Sequence, residues 1–335
     1  MLFLIIPLLA FMCWLLTGRL RQYAIAKSII DIPNSRSSHT VPTPRGGGGA
    51  IVVVYLGSLP LLTLLGVLPW SVTWGMVGAG GMVAVLGFLD DRGHIAARWR
   101  LLGHFSASLW LLVWLGGLPI LDIAGFSLDL GWFGHALALL YLVWLLNLYN
   151  FMDGIDGIAS VEAICVGLGA TVLYIAGGLP SMLFAPLALA VTVMGFLYWN
   201  FPPARIFMGD AGSGFLGITL GGLSLHAAWA APQLLWGWLI LLGVFVVDAT
   251  LTLLRRLARG EKVYEAHRSH AYQFAARHYG RHLPVTLAVM LINTCWLLPI
   301  AIIAVVWRVD GLTSLALAYL PLVVLAIRFR AGGAE

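Results

Sequence analysis

Residues 131–157 read GWFGHALALLYLVWLLNLYNFMDGIDG, a long apolar run that ends in a short polar one. About twenty consecutive apolar residues are enough to cross the hydrocarbon core of a bilayer as an α-helix. Oxygen-bearing side chains follow at the point where such a helix would leave the membrane, and they are Asn147, Asn150, Asp153 and Asp156. The stretch therefore predicts a membrane-spanning helix over 131–150 with amides and carboxylates at one end.

The composition of the whole chain also indicates a membrane protein. Of its 335 residues, 61% are hydrophobic and 10% are charged, whereas a typical soluble domain has about a quarter of its residues charged. The mean hydropathy is +0.94. These values exclude a soluble monomer, and they exclude a disordered chain because disorder requires low hydrophobicity and high charge. Since the apolar runs are long and unbroken, they favour an all-α polytopic membrane protein over an outer-membrane barrel.

Apolar stretches of roughly 20 residues recur along the chain and predict about eleven transmembrane helices. They lie near residues 1–18, 48–69, 71–89, 101–121, 131–150, 158–178, 180–200, 212–230, 233–254, 285–307 and 311–328. No soluble domain interrupts this array. We therefore treat residues 1–335 as a single integral-membrane domain.

The positive charges set the predicted orientation. Apart from Arg308, every Lys and Arg follows an odd-numbered span. Because cations near span ends stay on the cytoplasmic side, the N-terminus is predicted to be periplasmic and the C-terminus cytoplasmic. The cytoplasmic loops then lie near 19–47, 90–100, 151–157, 201–211 and 255–284. The net charge of +5 follows from this bias, so it gives no reason to expect a nucleic-acid partner.

Carboxylates are concentrated where predicted spans three, five and seven end. They are Asp90, Asp91, Asp153, Asp156 and Asp210. All three ends are cytoplasmic in the predicted topology, so these groups can meet at one membrane depth. A single acid at a helix end often only marks the interface, but two adjacent carboxylates repel each other unless a cation lies between them. Carboxylate and carboxamide oxygens suit Mg²⁺, with Mn²⁺ as an alternative, and a metal site is the favoured interpretation.

Three segments suggest that an anion is bound near these acids. The run Arg45–Gly49 enters the second span, where glycine amides can contact phosphate, although glycines at span ends also serve packing. Arg98 and Arg100 follow the first acidic pair within ten residues. The loop 255–284 contains seven cations and the sequence His-Arg-Ser-His at 267–270. Such a loop could equally bind anionic lipid headgroups.

One further acid, Asp248, lies inside the ninth predicted span. An ionisable group within a span costs about 3 kcal/mol and is a functional candidate for that reason. It could equally form a hydrogen bond with a neighbouring helix or reach the cytoplasmic interface. The sequence leaves both interpretations open.

Four of these motifs, in this order, resemble the polyprenyl-phosphate N-acetylhexosamine-1-phosphate transferases, the group that includes WecA, TagO and MraY. The motifs are Asp90-Asp91, Asn147–Gly157, Phe207–Ser213 and His267–Gln273. The first loop, with Asp31–His39 and Pro42–Gly46, is also similar to that of the family, and the resemblance covers nearly the whole chain. The histidine motif departs from the MraY and WecA forms and is most similar to that of WbpL-type enzymes, which initiate O-antigen chains. This departure argues against the peptidoglycan precursor as substrate and leaves the sugar open.

The resemblance implies that undecaprenyl phosphate and a UDP-N-acetylhexosamine react to give undecaprenyl-diphosphate-sugar and UMP. The reaction would take place on the cytoplasmic face of the bacterial inner membrane. The implied catalytic residues are Asp90, Asp91, Asp210 and His267, and the implied Mg²⁺ ligands are Asp210, Asn150 and Asp90. The implied substrate-binding residues are Asn150, Asp153, Asp156, Arg36, Arg45, Arg98, Arg268 and His270.

Two other classes of function compete with the transferase. A lipid-carrier flippase or transporter would also bind an anionic lipid headgroup, but it would place ionisable groups near the midplane and show two repeated halves. A structural scaffold would explain the spans but not the ordered acidic motifs. A homodimer is compatible with the sequence, since lipid-facing and partner-facing surfaces are alike in composition.

Overall fold

The computed structural model describes residues 2–33, 38–93, 95–123, 125–261 and 267–333, and within these ranges the chain forms fourteen α-helices. The first seven are α1 (Leu2–Ala26), α2 (Gly49–Leu64), α3 (Trp70–Gly93), α4 (Ala97–Leu115), α5 (Gly131–Met152), α6 (Ile158–Ala176) and α7 (Phe184–Asn200). The others are α8 (Asp210–Ala230), α9 (Gln233–Leu241), α10 (Gly243–Ala258), α11 (Ala271–Tyr279), α12 (Leu283–Ile292), α13 (Leu298–Val306) and α14 (Gly311–Arg328). A 3-10 turn at Pro180–Leu183 precedes α7, and a π-helical turn at Asn293–Leu297 joins α12 to α13.

Each of the predicted spans contains a helix. Among the described residues, seven helical segments are long and apolar enough to cross a membrane, and α9 with α10 makes an eighth if this bent pair is one span. The other three predicted spans contain α2, which has 16 residues, α4, which has two arginines in its first turn, and the glycine-rich α8. These findings agree with the predicted all-α polytopic membrane protein, while the count of eleven and the orientation of the termini stay predictions.

The structure differs from the sequence prediction in three places. The predicted span 101–121 ends at Leu115, because Gly116 adopts a left-handed conformation with φ +83 and terminates the helix. The predicted span 233–254 is bent by 72° between α9 and α10. The predicted loop 255–284 contains a helix of its own, α11.

Two short antiparallel ladders add a little β-structure to the helices. The strands β1 (Ile30–Asp31) and β2 (Thr43–Pro44) pair within the first long loop. The strands β3 (Leu121–Ile123) and β4 (Phe126–Leu128) pair in the connection before α5. The first ladder bears on the site, because it holds the chain that leads to Arg45.

The central helix of the bundle is α8. Both α3 and α5 pack along it, and its residues are buried almost from end to end. Its small residues allow this close packing, since a Cβ added to Gly217 would lie 2.6 Å from the carbonyl oxygen of Leu145 in α5. As α8 begins at Asp210, the packing brings that residue beside the ends of α3 and α5.

The entry into α2 also lies very close to α8, and this contact is testable. A Cβ on Gly48 would lie 2.5 Å from the Cα of Gly212, so we expect Gly48→Ala to destabilise the protein by about 1–3 kcal/mol. Thermal unfolding in detergent measures the effect. Gly57→Ala in α2 is the matched control, since nothing lies within 4 Å of its added Cβ. Equal melting temperatures for the two variants would contradict the prediction.

Candidate functional site

The guanidinium of Arg45 lies between two carboxylates from distant parts of the chain. Its Nη2 is 2.9 Å from Oδ1 of Asp91, near the end of α3, and 2.5 Å from Oδ1 of Asp210, at the start of α8. The backbone N–H of Asp210 donates to Asp91 Oδ1 over 3.2 Å. Burial lowers the pKa of Arg45, but the neighbouring carboxylates outweigh this effect and raise the pKa above its usual value. The guanidinium is therefore a fixed positive charge in the site.

The glycine run after Arg45 forms backbone hydrogen bonds with the segment that precedes α8. The N–H groups of Gly46 and Gly47 donate to the carbonyl of Phe207, and the N–H of Gly48 donates to the carbonyl of Met208. Of the two interpretations that the sequence left open for this run, the structure favours packing over a phosphate cradle, because these amides already donate to carbonyl groups. Their effect is to fasten the first loop to the segment that leads into α8.

Three of the predicted residues lie at the end of α5 and in the segment between α5 and α6, and all three line one cleft. The side-chain amide of Asn150 donates to Ser213 Oγ in α8 over 3.2 Å. Burial raises the pKa of Asp153 well above its usual range, Arg45 opposes this effect, and the other carboxylates add to it. Asp156 accepts a hydrogen bond from the backbone N–H of Ala204 over 3.1 Å. The acids therefore converge, as the sequence predicts.

The sequence analysis missed His282, which lies just before α12. Its Nδ1 is 3.2 Å from Asp156 Oδ1, and its Nε2 is 3.0 Å from the carbonyl oxygen of Ser38. Burial alone would lower the pKa of His282, but the Asp156 carboxylate and the Ser38 carbonyl outweigh it and raise the pKa above 6.5. His282 thus links the first loop to the acidic segment. No local signal identifies it, since Asp156 is 126 residues away in the sequence.

These side chains line two neighbouring clefts. The first is polar, and its wall includes Arg45, Asn150, Asp153, Asp156, Asp210 and His282. The second is partly apolar, and its wall includes Leu86, Asp90, Arg100, His104, Asn150 and Asp210. Two residues, Asn150 and Asp210, therefore belong to both walls.

In the second cleft, Asp90 is already engaged. Its Oδ2 is 2.6 Å from Arg100 Nη1, and its Oδ1 accepts a hydrogen bond from the backbone N–H of Ile95 over 2.6 Å. Arg100 therefore faces the cleft. Arg98 is exposed instead, with its guanidinium 5.7 Å from the centre of the Trp99 ring and outside both walls. The set of substrate-binding residues predicted from the sequence includes Arg98, whereas the structure places Arg100, and not Arg98, in the cleft wall.

The remaining predicted residues lie around α11. His267 and Arg268 precede this helix, and the ring of His270 stacks on those of His267 and Tyr272 at centroid distances of 4.9 and 5.7 Å. His270 is buried, and in α11 it is Gln273 that lines the first cleft. The roles predicted for these residues stay predictions. Arg36, the last of the predicted set, lies outside the described residues.

The structure gives Asp248 a structural role. Its carboxylate accepts hydrogen bonds from the backbone N–H groups of Ala271 and Tyr272 over 2.9 and 3.0 Å, and another from Thr252 Oγ1. These amides belong to the first turn of α11, where they have no partner within the helix. Asp248 in α10 therefore caps α11 and fixes its position. A carboxylate also suits this end of a helix electrostatically.

The oxygens around Arg45 suit a hard divalent cation. Within the described ranges, no three His, Cys, Asp or Glu side chains are close enough to enclose a metal ion. Asp91 Oδ2 is nevertheless buried with no hydrogen-bond partner in that part of the chain, and a Cβ added to Gly209 would lie 2.7 Å from it. Together with Asp210 and Asn150 this is an all-oxygen donor set, which fits Mg²⁺. The ion itself stays a prediction.

The chain is similar to known proteins along most of its length. Residues 73–228 match the sequence model of glycosyl transferase family 4. The chain is 30% identical over 321 residues to the decaprenyl-phosphate N-acetylglucosaminephosphotransferase of Mycobacterium tuberculosis, across 84% of this chain and 77% of that protein. The chain belongs to the polyprenyl-phosphate N-acetylhexosamine-1-phosphate transferase family.

Two further relatives of this transferase have different names. A probable undecaprenyl-phosphate N-acetylglucosaminyl 1-phosphate transferase of Bacillus subtilis is 26% identical over 263 residues, across 77% of this chain and 72% of that protein. A phospho-N-acetylmuramoyl-pentapeptide-transferase of Moorella thermoacetica is 32% identical over 197 residues, across 55% and 61%. The region that matches the family model contains the acids at the ends of α3 and α5 and at the start of α8, whereas Arg45 and His282 lie outside it.

The contact between His282 and Asp156 predicts how the stability of the transferase depends on pH. Because folding raises the pKa of His282, its stabilising contribution is complete below about pH 6.5 and is lost as the pH rises through the higher folded value. We expect His282→Gln to lower the melting temperature at low pH and to have less effect as the pH rises. The measurement is thermal unfolding between about pH 5.5 and 8.5.

His278→Gln serves as the control for this series, because His278 is an exposed histidine of α11 whose ring contacts Tyr279 outside both clefts. It should shift the melting temperature little at any pH. A His282→Gln variant that matches this control throughout would contradict the assignment.

Proposed function

We propose that the transferase moves N-acetylhexosamine-1-phosphate from a UDP-sugar to undecaprenyl phosphate, releasing UMP, at the cytoplasmic face of the inner membrane. The observation that supports this most directly is the pair of clefts with Asn150 and Asp210 in their common wall. A two-substrate transfer needs two binding regions that meet at the reacting atoms. We further propose that the product initiates O-antigen or a related cell-envelope polysaccharide, in line with the histidine motif.

The two clefts differ in polarity, as the two proposed substrates do. The first offers the charged guanidinium of Arg45 and the imidazole of His282, which suit the diphosphate of a nucleotide sugar. The second combines Arg100 with apolar side chains such as Leu86 and Leu146, which suit a phosphate attached to a prenyl chain. We therefore assign the donor to the first cleft and the lipid acceptor to the second.

In the proposed reaction an oxygen of the lipid phosphate attacks the phosphorus that bears the sugar. The bond from that phosphorus to the oxygen of UMP breaks, and UMP leaves with the electron pair. A phosphate monoester has a second pKa near 6, so the acceptor is largely ionised at neutral pH. Asp90 is already bound by Arg100 and by the Ile95 amide, which favours a role in orienting Arg100 over one as a proton acceptor.

The charge balance supports a divalent cation. Asp91, Asp153, Asp156 and Asp210 lie close to the place where a diphosphate must bind, and Arg45 is the guanidinium between them. We propose that Asp210, Asp91 and Asn150 hold Mg²⁺, whose chemistry there would be to neutralise phosphate charge. Asp90, the third ligand predicted from the sequence, is assigned instead to the acceptor cleft.

The assay that tests this proposal is UMP release by the purified protein, with undecaprenyl phosphate and a panel of UDP-N-acetylhexosamines. We expect turnover only when both substrates are present, with Asp210→Asn slower by about 100-fold or more because a charged group at the reacting centre is lost. Asp129→Asn is the control, since Asp129 is exposed in the connection before α5 and an Asn can also accept the hydrogen bond of Gly131.

If Asp210→Asn retained full turnover, the assignment of this residue would be wrong. The absence of UMP under every combination, from folded protein, would reject the transferase and favour a lipid-carrier flippase.

Removal of divalent cations tests the metal separately. After treatment with EDTA, turnover should fall to background, and added Mg²⁺ or Mn²⁺ should restore it. The readout is UMP release by the same protein before and after chelation. Turnover that survives chelation would refute the metal site while leaving the two-cleft assignment intact.

A further inference from the structure

One face of α10 forms hydrogen bonds with two other segments of the chain. Asp248, Thr252, Arg255 and Arg259 follow the spacing that places residues on a single helix face. Asp248 caps α11, as described above. Arg255 Nη1 donates to the carbonyl of Ala331 over 3.0 Å, and Arg259 Nη1 donates to the carbonyl of Gly332. The chain that follows α14 is thus fixed to the same helix as the histidine-containing segment.

The segment Ala331–Gly332 is closely packed at this point. Ala331 is fully buried, and its N–H donates to the carbonyl of Ala326 over 2.8 Å. Gly332 has φ +65, and a Cβ at this position would lie 2.9 Å from both the Thr252 carbonyl oxygen and Arg255 Cβ. Only glycine fits this position without strain. The sequence analysis gave this segment no role.

From there a short chain of hydrogen bonds leads to His267. The N–H of Gly332 donates to the carbonyl of Ser269 over 2.7 Å. The N–H and the hydroxyl of Ser269 lie 3.3 and 2.9 Å from Nδ1 of His267. Because a backbone N–H can only donate, Nδ1 is the acceptor, and a neutral ring then carries its proton on Nε2.

The same segment is in contact with Phe151, which lines the second cleft. The ring of His270 stacks between those of His267 and Tyr272. The hydroxyl of Tyr272 donates to the carbonyl of Phe151 over 2.9 Å, two residues before Asp153. A displacement of the histidine segment would therefore be transmitted to the acidic segment.

We propose that Ala331–Gly332 and Ser269 are positioning residues for the transfer reaction, which hold His267 in one orientation and in the Nε2–H tautomer. This inference rests on the proposed function, and the stacked rings together with the hydrogen bond from Tyr272 to Phe151 connect His267 to the site. The residues act through His267 and need no contact with substrate. This positioning role is sufficient to account for the buried contact between Gly332 and Ser269.

Two substitutions disturb this contact at different points. Gly332→Ala introduces the clash with Thr252 and Arg255, and Ser269→Ala removes the hydroxyl next to His267 Nδ1. Gly260→Ala is the matched control for the first, since Gly260 has φ +74 and nothing lies within 4 Å of its added Cβ. Ser106→Ala is the control for the second, because that exposed hydroxyl donates only to the carbonyl of Leu102 in its own helix.

Steady-state UMP release by the full-length variants gives the main readout. We expect Gly332→Ala and Ser269→Ala to lower kcat by about tenfold, the effect of one lost hydrogen bond to a functional group, and the two controls to stay within about twofold of the wild type. In a His267→Ala background neither substitution should lower kcat further, since residues that act through one group are not additive. A purely structural effect would lower kcat by the same factor in both backgrounds, and that result would overturn the proposal.

Hydrogen–deuterium exchange of residues 267–279 keeps this test separate from the proposed function. Gly332→Ala should accelerate exchange there, whereas Gly260→Ala should leave it as in the wild type. If the wild type released no UMP, the proposed function would fail while the exchange result still decided whether Gly332 holds the segment. Unchanged exchange in a folded Gly332→Ala protein would overturn the proposal. If that variant did not fold, a kcat of Ser269→Ala equal to that of the wild type would overturn it instead.

Discussion

The ion pairs of Arg45 with Asp91 and Asp210 are the interaction on which the rest of the site depends. The two carboxylates are at the ends of helices that pack side by side, so without a cation between them their repulsion would favour the separation of α3 from α8. The Arg45 guanidinium removes this repulsion, because its Nη2 contacts both carboxylates. The glycine amides that follow Arg45 fasten its loop to Phe207 and Met208, which keeps the guanidinium in place. Charge and backbone contacts therefore stabilise the same arrangement.

The irregular helices of the bundle meet at a second buried carboxyl group. Glu162 in α6 is fully buried, and its Oε2 accepts a hydrogen bond over 2.6 Å from Asn293, the first residue of the π-helical turn. The amide of Phe245, in the first turn of α10 after the 72° bend, approaches the same carboxyl group. An acid inside a membrane bundle requires polar partners, and irregular backbone frees groups that can serve as such. The bend in turn directs α10 toward the segments that it holds at the site.

The sequence predicted the helices and the meeting of the acids because both depend on local patterns. Apolar runs fix the spans, and Asp90, Asp153 and Asp210 stand at their ends, so the topology alone brings these acids together. The sequence could not predict which cation lies between Asp91 and Asp210, since Arg45 pairs with residues that are far from it in the sequence. The bend after α9 and the contact of His282 with Asp156 escaped prediction for the same reason. The sequence left the role of the glycine run open because its amides have two alternative partners, phosphate or backbone, and only the tertiary structure decides between them.

The position of Asp210 explains why the two clefts meet where they do. It is the first residue of α8, and the N-terminus of a helix carries a partial positive charge. Since α8 is buried almost throughout and packed against α3 and α5, this partial charge is fixed in orientation before any substrate binds. A preoriented dipole stabilises developing negative charge without reorganising during the reaction. In the proposed mechanism, the small residues that allow α8 to be so deeply buried would serve the chemistry as well as the packing, because a helix free to shift would lose this advantage.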